Sequence, residues 1–84
     1  MTTPMTTAGA YLILIDALIL ARERVTADTI AEKQAKRDRF KSTVSRMHLA
    51  DEGDDSQRPT AKELRELLGD PGDAEIRRAL EAWG

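Results

Sequence analysis

Apolar residues fall into one continuous block and three sparser stripes. The block, Ala10 to Ala21, reads AYLILIDALILA and carries a single charge, Asp16. A stripe lets a helix lie on a surface, whereas an apolar cylinder has to be surrounded, so this stretch organises the rest of the chain. Leu, Ile and Ala would also suit a buried strand. The pattern, however, runs on through ALILARERV without a turn residue, beyond the roughly 4–8 residues of a strand. The spacing predicts a first helix over residues 8–25, with Thr7 as its cap. Residues 1–7, with Pro4 and four Thr, read as a flexible N-terminal arm.

After Thr26 the pattern changes. Phe40, Val44 and Met47 follow i, i+4, i+7 spacing, with Ile30 about three turns earlier on a similar face. Between them, EKQAKRDR is almost wholly polar. Every residue of that gap except Asp38 is a good helix former, which predicts one long second helix over 27–50 rather than two broken near Lys36–Asp38. Thr26 or Asp28 would cap it, with Glu32 near the positive end of the dipole. Residues 51–59 form an acidic loop closed by Pro59. Thr60 then caps a short third helix (60–68), with Glu63 completing a capping box and Gly69 ending it. Asp70 as cap and Pro71 at the first helical position predict a fourth helix over 72–83. Ile76, Ala79, Leu80 and Trp83 form its apolar face, which matches Leu64, Leu67 and Leu68 across a helical hairpin. The fold class is therefore all-α: a small bundle of about four helices in a single domain, 8–84.

Composition narrows the class further. In 84 residues there is no Cys, so neither a disulfide framework nor a thiolate zinc site reinforces the domain. Aromatic residues are limited to Tyr11, Phe40 and Trp83. The core must come from aliphatic side chains, each contributing about 1.5–3 kcal/mol when fully buried, and oligomerisation is one way for so small a domain to gain more. The formal net charge is −2, but it is unevenly placed. Residues 26–50 carry six basic against three acidic side chains, and residues 51–84 five basic against ten acidic. A basic middle and an acidic tail permit complementarity between copies, whereas a dedicated nucleic-acid binder is more often basic overall. No Lys or Arg precedes the apolar block, as a signal peptide would require. The block is also shorter than the ~20 residues of a membrane span, and Asp16 interrupts it. A membrane-surface helix would need a polar face that the block lacks before Arg22. These features predict a cytoplasmic protein without membrane contact. Nine Arg against four Lys, with abundant Ala, suit a GC-rich bacterium or its phage.

Catalytic chemistry finds little to work with. His48 is the sole histidine, there is no thiol to pair with it, and no glycine-rich phosphate loop occurs. The acidic loop departs from a calcium loop. Gly53 stands where an oxygen ligand belongs, Ser56 replaces the turn glycine, and Lys62 occupies the closing Glu position. The expectation is a non-enzymatic protein with no cofactor, metal or small-molecule substrate.

Two segments resemble helix-turn-helix DNA-binding modules of bacteria and phages. In residues 26–47, TIAEK and STVSR resemble the positioning and recognition phrases of bacterial repressors. The resemblance implies groove contacts from Thr43, Ser45 and Arg46, and a phosphate contact from Lys41. Between Ala31 and Val44 this chain has about three residues more than the usual motif, and it lacks the turn glycine. Residues 60–83, TAKELRELLG followed by AEIRRALEAWG, resemble the corresponding part of winged-helix regulators, with Gly69 at the turn. Arg65 stands where a small residue is usual, and acids flank Arg77 and Arg78.

The expectation that weighs these features together is a protein-interaction or assembly module, self-associating through its apolar first helix. Its predicted interface is Leu12, Ile15, Ile19, Phe40, Val44 and Met47. The second helix would act as an arm with a basic side, suited to an acidic partner or to the acidic tail of another copy. The alternative is a helix-turn-helix DNA-binding regulator or accessory factor using Lys41, Thr43, Ser45 and Arg46.

Overall fold

In the computed structural model, which describes residues 5–26 and 29–83, each of the first three helices begins at a threonine. The Thr6 hydroxyl accepts from the Gly9 N–H at 3.0 Å and opens α1, Thr7–Glu23. Thr29 accepts from Glu32 N–H at 3.1 Å and opens α2, Ile30–Asp51. Thr60 accepts from Glu63 N–H at 3.1 Å and opens α3, Ala61–Leu68. Asp73 does the same for α4, Ala74–Trp83, its carboxylate accepting from Glu75 N–H at 2.7 Å. Each cap satisfies a donor that has no partner inside its own helix. The chain is a small all-α bundle of four helices with no strand among the described residues.

Three starts differ from those the sequence predicts. Thr6 rather than Thr7 caps α1, because Thr7 already has a place in the first turn. Thr29 rather than Thr26 caps α2, which moves its start three residues later, while Asp28 lies outside the described residues. Asp73 rather than Asp70 caps α4, so Pro71 and Gly72 stay in the connecting turn instead of entering the helix. In each case the side-chain acceptor nearest the first helical residue wins. α1 also ends at Glu23, two residues before the expected end. Of the expected N-terminal arm, residues 1–4 lie outside the described residues. Met5 packs against the core and Thr7 is helical.

α1 is the hub. It packs against α4 most extensively, then against α2 and α3. Its inward arc, Ala10, Tyr11, Leu14, Ala17 and Leu18, is buried, and all of these but Ala17 belong to one core cluster with Phe40 and Met47 of α2, Leu64 of α3, and Ala79, Leu80 and Trp83 of α4. Tyr11 meets His48 at one end of the pair, while Ala17 and Leu20 share a cleft with Phe40 toward the other, so α1 and α2 run antiparallel. The loop between α2 and α3 is tied to the core by Trp83. Its indole N–H donates to the Pro59 carbonyl at 2.7 Å, and the Arg58 guanidinium lies 4.6 Å over its ring. Gly69, with φ of 74°, makes the α3–α4 turn in a backbone region that other residues avoid. Arg46 joins α2 to α3 through Glu63 at 2.8 Å and to the loop before α3 by donating to the Gln57 carbonyl at 3.2 Å. The whole measures 46 × 29 × 17 Å. Among the described residues no helix is long and apolar enough to cross a membrane.

Candidate functional site

α1 has two faces, and the chain covers one. At about 100° per residue, Leu12, Ile15, Ile19 and Leu20 fall within one outward arc of about 140°, with Asp16 among them. Leu12 is 61% exposed, Leu20 50% and Ile19 38%, with Ile15 half-buried. Scattered exposed leucines are ordinary on a protein surface, but here three of the five large exposed apolar residues among the described residues share one helix face. The physical cause lies in the partners. α2 and α4 present their apolar residues to the inner arc of α1, where Phe40, Met47, Ala79, Leu80 and Trp83 are buried. The structure thus divides the six residues expected at an interface. Leu12, Ile15 and Ile19 stay together on the outer face. Phe40 and Met47 are buried in the chain's own core, and Val44, half-buried like Ile15, packs against it. Leu20 was not among the expected residues. Its signal was available in the angular position eight residues after Leu12.

α2 is continuous from Ile30 to Asp51, so TIAEK and STVSR lie on or beside one helix with no turn between them. The residues that the repressor-like resemblance points to are scattered around that helix. Lys41 and Ser45 are exposed. Thr43 is buried, and Arg46 is engaged with Glu63 and Gln57. Residues 60–83 do form two helices joined at Gly69, and there Ile76 packs against the core while Arg77 and Arg78 are exposed.

From Ile30 to Arg39 every residue of α2 is exposed, and Ile30 reaches 86%. This is an arm of about 15 Å leading into the docked half of the helix. Its composition is cationic: Lys33, Lys36, Arg37 and Arg39 against Glu32 and Asp38. Gln34 donates to Asp38 at 3.0 Å. Where the arm meets the body, a cleft of about 660 Å³ opens between it, the end of α1 and the α3–α4 turn. Ala17, Leu20, Phe40 and Leu67 give the cleft apolar walls, with Arg24, Lys36 and Arg39 on one side and Glu66, Asp70 and Asp73 on the other.

The polar chemistry inside the fold serves packing. Tyr11 is hydrogen-bonded through its hydroxyl to Nδ1 of His48 and stacks on Trp83 at 6.5 Å between ring centres. Burial, reinforced by the charges of Asp51 and Glu52, raises the Tyr11 phenol above its ordinary pKa of 10.0. Among the described residues no group of three or more His, Asp or Glu is placed to hold a metal ion. No protein-family model, curated protein or solved structure matches the chain.

Proposed function

We propose that this protein is a non-enzymatic assembly module whose copies associate through the outer face of α1. The observation that carries this is the cluster of Leu12, Ile15, Ile19 and Leu20 on one exposed arc of the most apolar helix in the chain. Completing the burial of such half-exposed side chains is worth about 1 kcal/mol each, or about 8 kcal/mol over two copies, against an association cost of about 4–15 kcal/mol. Association therefore builds with concentration rather than being permanent. Asp16 sits inside the patch, and its desolvation disfavours a fully dry interface and places it toward the rim.

The test is sedimentation equilibrium of the wild type and of Leu12→Gln combined with Ile19→Gln. Both positions are exposed and Gln is a good helix former, so circular dichroism should show an unchanged fold. The wild type is expected to exceed its 9.3 kDa chain mass as concentration rises, and the double variant to remain at it at high salt. Equal masses for the two proteins would remove α1 from the assembly.

A further inference from the structure

α2 carries a charge pattern that no ion pair among the described residues answers. Lys33, Lys36 and Arg37 lie within about 60° of the direction of Phe40, so the stripe that is apolar in the docked half becomes cationic in the arm. Glu32 lies at the edge of this face and Asp38 on its back, bonded to Gln34. At the other end of the same helix, Asp51, Glu52, Asp54 and Asp55 follow within five residues, and all four are exposed. Asp51 and Glu52 stand at the negative end of the helix dipole, where a cation would be favoured instead.

The two clusters do not meet within one molecule. Along the helix axis Lys33, Lys36 and Arg37 are about 21–27 Å from Asp51. Salt screens charges beyond about 10 Å at 0.1 M, so the intramolecular attraction is small. Among the described residues the one ion pair is Arg46–Glu63, and none involves the arm cations or the loop acids. The hairpin acids across the cleft, Glu66, Asp70 and Asp73, form no ion pair with the arm either.

We infer that the cationic face of the α2 arm, Lys33, Lys36 and Arg37, receives the acidic loop Asp51–Asp55 of a second copy of this chain. Charge complementarity selects that occupant. The loop is exposed, follows the docked half of α2 without a break, and carries four acids against the three cations of that face. A nucleic-acid backbone would also meet the cations, but it would bring further negative charge against a protein whose net charge is already −2. The contact is head-to-tail, because each copy offers an arm at one end and a loop at the other. Such contacts propagate into rings or open chains unless something closes them. It is distinct from the α1 contact and does not depend on it.

The experiment separates the two contacts by placing everything in the Leu12→Gln/Ile19→Gln background, where the α1 patch is removed. Three full-length proteins are compared by sedimentation velocity. One is that background itself. The second adds Lys33→Gln, Lys36→Gln and Arg37→Gln. The third adds Asp51→Asn, Glu52→Gln and Asp55→Asn. Runs at about 0.01 M and about 1 M salt change the screening length from about 30 Å to about 3 Å. The background is expected to associate at low salt and not at high salt, with either neutralisation weakening this by about tenfold or more. An equimolar mixture of the two neutralised proteins should recover a single one-to-one contact, because one supplies the intact loop and the other the intact arm. Failure of that recovery, or salt-sensitive association that survives either neutralisation, would overturn the head-to-tail contact while leaving the α1 reading intact. Loss of binding to a DNA duplex in the arm variant, with no salt-sensitive self-association in the background, would overturn it in favour of a nucleic-acid partner.

Discussion

From Phe40 to Asp51, α2 lays Phe40, Val44 and Met47 against α1, whereas from Ile30 to Arg39 the same helix leaves every side chain in solvent. The two halves differ in what holds them helical. The docked half is held by burial of Phe40 and Met47, with Val44 packed beside them. The arm has propensity, the Thr29 cap and one Gln34–Asp38 hydrogen bond, and a helix this short is marginal alone. Its helicity is therefore propagated from the docked half. The arm is held out from the body with every residue from Ile30 to Arg39 exposed, so it contributes little to the packing of its own chain.

The largest expected contrast is between apolar truncations in the two halves. Met47→Ala should cost about 2–5 kcal/mol in denaturant unfolding, because it empties a fully buried site, whereas Ile30→Ala should stay within about 0.5 kcal/mol. A comparable loss from both would mean that the arm is packed. Next come the caps. Thr60→Ala should lower global stability by about 1 kcal/mol, since α3 is docked on the core. Thr29→Ala should speed hydrogen exchange in residues 30–36 and leave the melting temperature nearly unchanged, because only the arm frays. Smaller again is Arg46→Ala. Both side chains of the Arg46–Glu63 pair are more than a third exposed, so the loss should be less than about 1 kcal/mol.

The last prediction concerns pH. The folded-state pKa of Tyr11 is raised, so its neutral form is preferred by the fold. That contribution is fully present below pH 10 and is lost as pH rises through the raised value. Tyr11→Phe should remove this alkaline loss from a stability-versus-pH curve, at the cost of the bond to His48. An identical alkaline slope in the variant would assign the loss to other groups.

Much of this architecture was legible in the chain itself. The apolar block announced a central helix, the helix formers of EKQAKRDR announced an unbroken α2, and Thr60, Glu63 and Gly69 marked both ends of α3. Cap positions were less legible, since Thr6 and Thr7, or Asp70 and Asp73, offer competing acceptors that only the final backbone path ranks. The candidate interface was half legible. Periodicity groups Phe40, Val44 and Met47 on one face, but it cannot say whether that face meets its own chain or another. In the fold, Phe40 and Met47 are buried with the inner arc of α1, while Leu12, Ile19 and Leu20 on its outer arc stay exposed. The extra residues between Ala31 and Val44 are absorbed as helix rather than as a turn.

The most direct test of the account is the solution mass of the wild-type protein over a wide range of concentration, at low and at high salt. At high salt, where the charged contact is screened, the account predicts a mass that still rises with concentration above one chain, and that falls back to one chain in the Leu12→Gln/Ile19→Gln variant. A wild type that stays at 9.3 kDa throughout would contradict self-association through α1.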